Sequence, residues 1–185
     1  MSVPLLVLAM WLHDREPHVL AHDTEPIRTS GRIGHVVSNS SFAIRVDSVV
    51  VARSLSGGSL PTDPRETTDG VFLIVKFRAM GQKKPYSMQN PRLESGSYTY
   101  DTTGRTIEGG DFFGDSFPPM MWKAGQVCFE IPKNRLAGAR IVVGEGLVLS
   151  QLSAESAVDL GIGKAKAADL IAHAAEGYNL KDSGR

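Results

Sequence analysis

Strict alternation of apolar and polar residues marks the middle of the chain. In residues 41–47 every second side chain is apolar, which is the pattern of a half-buried strand, and residues 49–52 extend it. Residues 71–78 are first apolar at successive positions and then alternate, so we predict a strand whose first half is covered on both faces. The side chains expected on its core face are Val71, Leu73, Val75 and Phe77.

Shorter strands are predicted at intervals along the rest of the chain. Turn-forming residues separate them, and residues 56–70 and 81–91 contain enough Gly, Pro and polar residues to form loops. This succession is typical of a sandwich or a barrel. The predicted segments are 97–100, 127–131, 141–143, 147–149 and 157–160.

One helix is predicted, near the C-terminus. Residues 164–176 are rich in Ala, and Gly177 would end the helix as its C-cap. No amphipathic helix lies between the predicted strands, which argues against a parallel α/β sheet. The residues that share the apolar face of the helix are Ala167, Leu170, Ile171 and Ala174.

The N-terminal segment is apolar from residue 3 to residue 12 and ends at a charged stretch. As a helix it would be about 15 Å long, half of a bilayer core of about 30 Å, so it cannot span a membrane alone. It lacks the basic region of a signal peptide, and Trp11 suits a membrane interface. We expect residues 1–15 to be the outer half of an anchor that begins upstream. The alternative is an apolar segment that packs on the domain.

These patterns divide the chain into four parts. Residues 1–15 form the apolar segment, and the polar residues 16–30 form a linker. The sandwich is expected at 31–162, followed by a helix and tail at 163–185.

Charge and cysteine content narrow the possible partners. The 20 basic and 20 acidic residues cancel and are mixed along the chain, which argues against nucleic acid and against anionic lipid bound by charge alone. Cys128 is the single cysteine, so no intrachain disulfide can form. It lies in an apolar, strand-like run, where we expect a buried and inert thiol.

Three segments together resemble a known family. They are 42–49, the apolar strand 71–78, and the pattern of Gly125, Val127, Phe129, Ile131 and Pro132. Across residues 30–162 the chain resembles the telokin-like extracellular immunoglobulin-like domains of Gram-positive and actinobacterial cell envelopes. The resemblance implies an all-β, immunoglobulin-like antiparallel β-sandwich outside the cytoplasmic membrane, usually without catalysis. The predicted short C-terminal α-helix and the long loop 56–70 depart from the family pattern.

An aromatic and methionine cluster is the best candidate for a binding surface. It surrounds Pro118 and Pro119, and it either covers the open end of the sandwich or stays exposed as a contact patch. Aromatic and Met side chains are enriched in the cores of protein interfaces, so we predict partner binding there. The candidate residues are Phe112, Phe113, Phe117, Met120, Met121 and Trp122.

A Gly-rich acidic stretch is a weaker candidate for a metal-binding or catalytic site. Glu108, Asp111 and Asp115 could supply oxygen ligands to Ca²⁺, although their spacing does not match an EF-hand. A solvated loop is the alternative. The histidines His13, His18 and His22 are expected to be linker residues, since a zinc site needs more ligands in a folded frame.

The expected function is therefore that of a non-catalytic binding module without a cofactor. It would lie on the outer side of the cell membrane, attached by its N-terminus, or be secreted, and it would bind an envelope or membrane protein. One alternative is a Ca²⁺-dependent or hydrolytic activity of the acidic stretch. The other is a structural accessory subunit of a membrane complex.

Overall fold

The computed structural model describes residues 26–57, 65–103, 116–145 and 153–181. Their regular structure is mostly strand, with a 3-10 turn at Lys133–Arg135 and the helix α1 at Lys164–Ala172. The strands are β1 (Ile27–Arg32), β2 (Val36–Ser38), β3 (Phe42–Ser56), β4 (Glu66–Gly81), β5 (Tyr86–Ser87), β6 (Gln89–Ser95), β7 (Tyr98–Asp101), β8 (Ser116–Phe117), β9 (Lys123–Ile131), β10 (Arg140–Gly144), β11 (Ala154–Asp159) and β12 (Tyr178–Asn179).

Two larger sheets form the sandwich. The first has five strands in the order β1-β11-β10-β6-β7, and the second has the order β12-β3-β4-β9, with β2 also paired to β3. Most pairs are antiparallel, whereas β1 on β11 and β12 on β3 are parallel. The predicted all-β antiparallel sandwich with a short C-terminal helix is confirmed.

The main core lies between the two sheets. Val71, Leu73, Val75 and Phe77 are each at most 1% exposed, so the predicted core face of β4 is confirmed. They pack in one cluster with inward side chains of the first sheet, which include Leu93, Ile141, Val143 and Val158.

A second apolar cluster covers the outer face of the second sheet. Phe72 and Ile74 point away from the main core and pack with Leu180 of the C-terminal segment. Cys128 lies in this cluster as a buried free thiol, as expected. The prediction that β4 is covered on both faces over part of its length is also correct, and the cover on one side is the chain's own C-terminal segment.

Several boundaries differ from the predictions. Residues 27–30, assigned to the linker, belong to β1, because backbone pairing to β11 defines this strand while its sequence has a weak apolar pattern. Residues 66–70 extend β4, and β5 and the start of β6 lie in the predicted loop 81–91. The predicted segment 147–149, the apolar segment 1–15 and the linker residues 16–25 lie outside the described residues.

The helix is shorter than predicted, since α1 ends at Ala172 and its C-cap is His173 rather than Gly177. Beyond it, the Ala175 backbone N–H donates to Val51 O at 2.9 Å, and the Arg53 N–H donates to Ala175 O at 2.8 Å. Strand-type pairing with β3 therefore replaces the last helical turn, and the tail assigned to 163–185 supplies part of the sandwich.

Candidate binding surface at one end of the sandwich

The strand registers bring several chain segments together at one end of the sandwich. Gly144 lies opposite both Gln89 and Glu155, so β6 and β11 begin where β10 ends. In the second sheet Phe42 lies opposite Gly81, so β3 begins where β4 ends. Phe42 stacks on Tyr86 at 4.1 Å, and the Tyr86 hydroxyl donates to Gly144 O at 2.9 Å, which joins the two sheets at this end. We call this end the tip.

The predicted contact cluster is divided by the fold. Phe117 is fully buried, with its ring 6.0 Å from Phe77 and 5.9 Å from Tyr86. Pairing of β8 with β5 turns Phe117 inward and leaves Ser116 exposed, so Phe117 supports the tip and is not itself available to a partner. Phe112 and Phe113 lie outside the described residues.

Met120, Met121 and Trp122 are exposed at the tip. These residues are 75%, 63% and 40% exposed. The backbone that carries them is fixed to the end of β4, because Gly81 N–H donates to Pro118 O at 3.1 Å and Met120 N–H donates to Gly81 O at 3.0 Å. Met120 has a φ of 57°, and no other non-glycine residue in the described segments has a positive φ. We call residues 118–122 the tip turn.

Other exposed residues also lie at the tip, and the sequence pattern did not indicate them. Lys83 and Lys84 are exposed in the turn between β4 and β5, which meets the tip turn at Gly81. Ile27, at the first position of β1, is 63% exposed. The Lys-Lys-Pro sequence at 83–85 indicates an exposed turn. Its position near Met120, however, depends on the pairing of strands that are distant in the sequence.

Burial at the tip also affects the ionisation of the Tyr86 phenol. Burial, together with the negative charge of Glu145, raises the pKa of the Tyr86 phenol far above its usual value. The phenol therefore stays protonated and continues to donate its hydrogen bond to Gly144 O. The aromatic rings beneath the tip turn thus form an apolar and uncharged support.

The remaining residues considered for metal binding are the carboxylates of the acidic stretch and the histidines expected in the linker. Glu108, Asp111, Asp115, His13, His18 and His22 all lie outside the described residues. Among the residues that the structure does describe, no group of three or more His, Cys, Asp or Glu side chains is arranged to coordinate a metal. The same described part of the chain has no helix with the length and apolarity needed to cross a membrane.

The fold defines the chain as a β-sandwich protein. No protein-family model matches it, and no curated protein sequence matches it. Among solved structures, it is similar to an uncharacterized β-sandwich protein from Clostridium difficile 630, with 11% sequence identity and a TM-score of 0.46. The match covers 78% of this chain and 99% of that chain.

Proposed function

We propose that this chain is a non-catalytic binding module of the bacterial cell envelope that presents its tip turn to a protein partner. In this proposal it belongs with the telokin-like extracellular domains, stands on the outer side of the membrane, and is attached there by its N-terminal segment. The observation that carries the proposal is the exposure of Met120, Met121 and Trp122 on a fixed turn.

Three properties of the tip turn favour a protein partner. Burial of one large apolar side chain contributes about 1.5–3 kcal/mol, and Trp is among the residues that contribute most at interfaces. Met adapts its shape to irregular apolar surfaces. The backbone hydrogen bonds to Gly81 fix the turn before binding, which lowers the entropic cost of association.

The course of the chain favours a partner that lies close to the membrane. The described chain enters β1 at the tip, which is the end of the sandwich that carries the tip turn. If residues 3–12 lie in a membrane, the 13 residues from 13 to 25 reach at most about 45 Å when fully extended. Attachment at that distance raises the effective concentration of a membrane-bound partner at the tip.

Site-specific photo-crosslinking in the source organism's own membranes tests this proposal. A benzophenone side chain at position 121 should give one adduct of constant mass with an envelope protein. The same group at position 98 is the matched control, because Tyr98 is also exposed, at 48%, but lies on β7 away from the tip. Replacing Met120 and Trp122 by Ser should lower the adduct yield at least about tenfold, since both are expected anchors.

Two results would contradict a protein partner of this kind. An adduct of twice the chain's mass would identify a second copy of the chain as the occupant. A blue shift of Trp122 fluorescence on protein-free vesicles of phosphatidylcholine and phosphatidylglycerol would identify the lipid surface instead. For that measurement Trp11→Phe leaves Trp122 as the only tryptophan in the chain.

A further inference from the structure

The outer face of the first sheet carries rows of opposite charges. The registers place Arg32 opposite Asp159, Asp159 opposite Arg140, and Arg140 opposite Glu94. Side chains at directly opposed positions lie on the same face of a sheet, so these four form one row across four strands. Arg28 and Glu155 form another such pair, four residues nearer the tip.

Ion pairs satisfy the part of this face that lies nearer the tip. Glu155 is only 3% exposed and accepts from Arg28 Nε at 2.8 Å and from Arg92. Arg28 also donates to both carboxylate oxygens of Glu94, at 2.9 and 3.1 Å. Two arginines and two glutamates thus neutralise one another.

This network leaves the far row incompletely paired. Glu94 lies opposite Arg140 but is bound to Arg28, so it does not neutralise Arg140. Within the described segments, neither Arg32 nor Arg140 has an ion pair within 4.0 Å. Asp159 lies between them, and its Oδ1 accepts from the Gly161 backbone N–H at 2.7 Å. Among the described residues, the far row therefore has two arginines without an ion pair, and between them lies one aspartate that accepts from the Gly161 backbone N–H.

A surface cavity of about 280 Å³ lies at this row. The cavity is open because several of its lining residues are small. The two arginines reach it from β1 and β10, the strands on either side of β11. The lining residues are Ser30, Gly31, Arg32, Arg140, Ala157 and Asp159.

We propose that this cavity binds a phosphate group. Strands two apart in a sheet are separated by roughly 10 Å, so guanidinium groups on β1 and β10 can donate to opposite sides of one anion. A tetrahedral phosphate presents oxygens to both sides, whereas a carboxylate is satisfied by a single bidentate arginine. The Ser30 hydroxyl can donate to a third oxygen. The charge of a phosphate, about −1.5 to −2, is also attracted by both arginines despite Asp159.

Titration of the full chain with inorganic phosphate, at constant ionic strength, tests the site. The Nε–Hε NMR signals of Arg32 and Arg140 should shift and saturate, while sodium acetate should bind at least about tenfold more weakly. Arg32→Gln and Arg140→Gln should each weaken phosphate binding by about tenfold, because each removes a charge-assisted hydrogen bond. Lys84→Gln removes the same charge at the opposite end of the sandwich and should leave the affinity unchanged.

The Asp159→Asn variant tests the site most directly, because it should increase the affinity for phosphate. Asparagine retains an Oδ1 acceptor for the Gly161 N–H and removes a negative charge beside the anion, so phosphate should bind several-fold more tightly. Chemical shifts that do not saturate with phosphate would overturn the proposal. It would also be overturned if Lys84→Gln weakened phosphate binding as much as Arg140→Gln does, or if Asp159→Asn did not tighten it. A second titration, with phosphatidylglycerol vesicles, distinguishes a lipid phosphate from a soluble one. If the natural ligand is a lipid phosphate, Arg140→Gln should weaken vesicle binding, and if it is a soluble phosphate, vesicle binding should not depend on Arg140.

Discussion

At the scale of single residues, Met120 shows local strain at the proposed binding surface. Its φ of 57° lies in the left-handed region, which costs a residue with a Cβ atom about 1–2 kcal/mol. The hydrogen bond from its N–H to Gly81 O and the pairing of Pro119 with Gly81 impose this conformation. In this conformation Met120 is 75% exposed.

Replacing Met120 by Gly should therefore stabilise the protein and weaken partner binding. Glycine adopts a positive φ without strain, so the free energy of unfolding in urea should rise by about 0.5–1 kcal/mol. Met121→Gly is the control, because Met121 has no positive φ and should show no gain. A loss of stability in Met120→Gly would show that the Met120 side chain contributes packing at the tip.

The pH dependence of stability should include a contribution from Asp47. Arg78 donates two hydrogen bonds to it, at 2.8 and 2.9 Å, and this lowers the pKa of Asp47 below its usual value of 3.8. Because the folded-state pKa is the lower one, the stabilisation is complete above pH 3.8 and is lost as pH falls through the folded-state value. Asp47→Asn should flatten the fall in unfolding free energy below pH 4. Unchanged acid sensitivity in urea melts would contradict this.

At the scale of secondary-structure elements, β11 organises the first sheet. It pairs with β1 on one side and β10 on the other, and its Glu155 links Arg28 of β1 to Arg92 of β6. The charge of Glu155 is almost fully buried and is compensated by two arginines. Such a carboxylate fixes the relative positions of strands that are distant in sequence.

Replacing Glu155 by Ala should reduce the free energy of unfolding by about 2 kcal/mol, because Arg92 loses its closest carboxylate and Arg28 keeps only Glu94. Glu94→Ala removes a more exposed member of the same network and should cost about 1 kcal/mol or less. Equal losses in the two variants, measured by urea denaturation, would show that burial does not govern the contribution of this network.

At the scale of the whole molecule, the C-terminal segment completes the sandwich. The Leu180 carbonyl accepts from the Gln126 side chain at 2.7 Å, and Tyr178 donates to the same Gln126 at 3.2 Å. This polar contact lies beside the apolar cluster of Leu180 with Phe72 and Ile74. The segment therefore protects a face of β4 that would otherwise be exposed.

A chain that ends at Gly177 should lose about 3 kcal/mol of stability, because Tyr178 and Leu180 no longer bury apolar surface. The Cys128 thiol, now fully buried, should also react faster with a thiol reagent. A chain that ends at Lys181 retains every described contact of the segment and should behave as the full chain does. Equal thiol reactivity of the two shortened chains would contradict this assignment.

The sequence by itself determined the all-β class, the core face of β4, the buried Cys128 and the approximate start of α1. These features follow from local periodicity, because alternation in a strand separates its two faces whichever strand is its neighbour. Tertiary structure alone decided that β1 pairs with β11, that α1 ends at Ala172, and that Phe117 is buried while Met120 is exposed. It also decided which carboxylates the arginines of the first sheet contact within the described segments. Each of these depends on contacts between residues far apart in the chain, and local sequence patterns do not record such contacts.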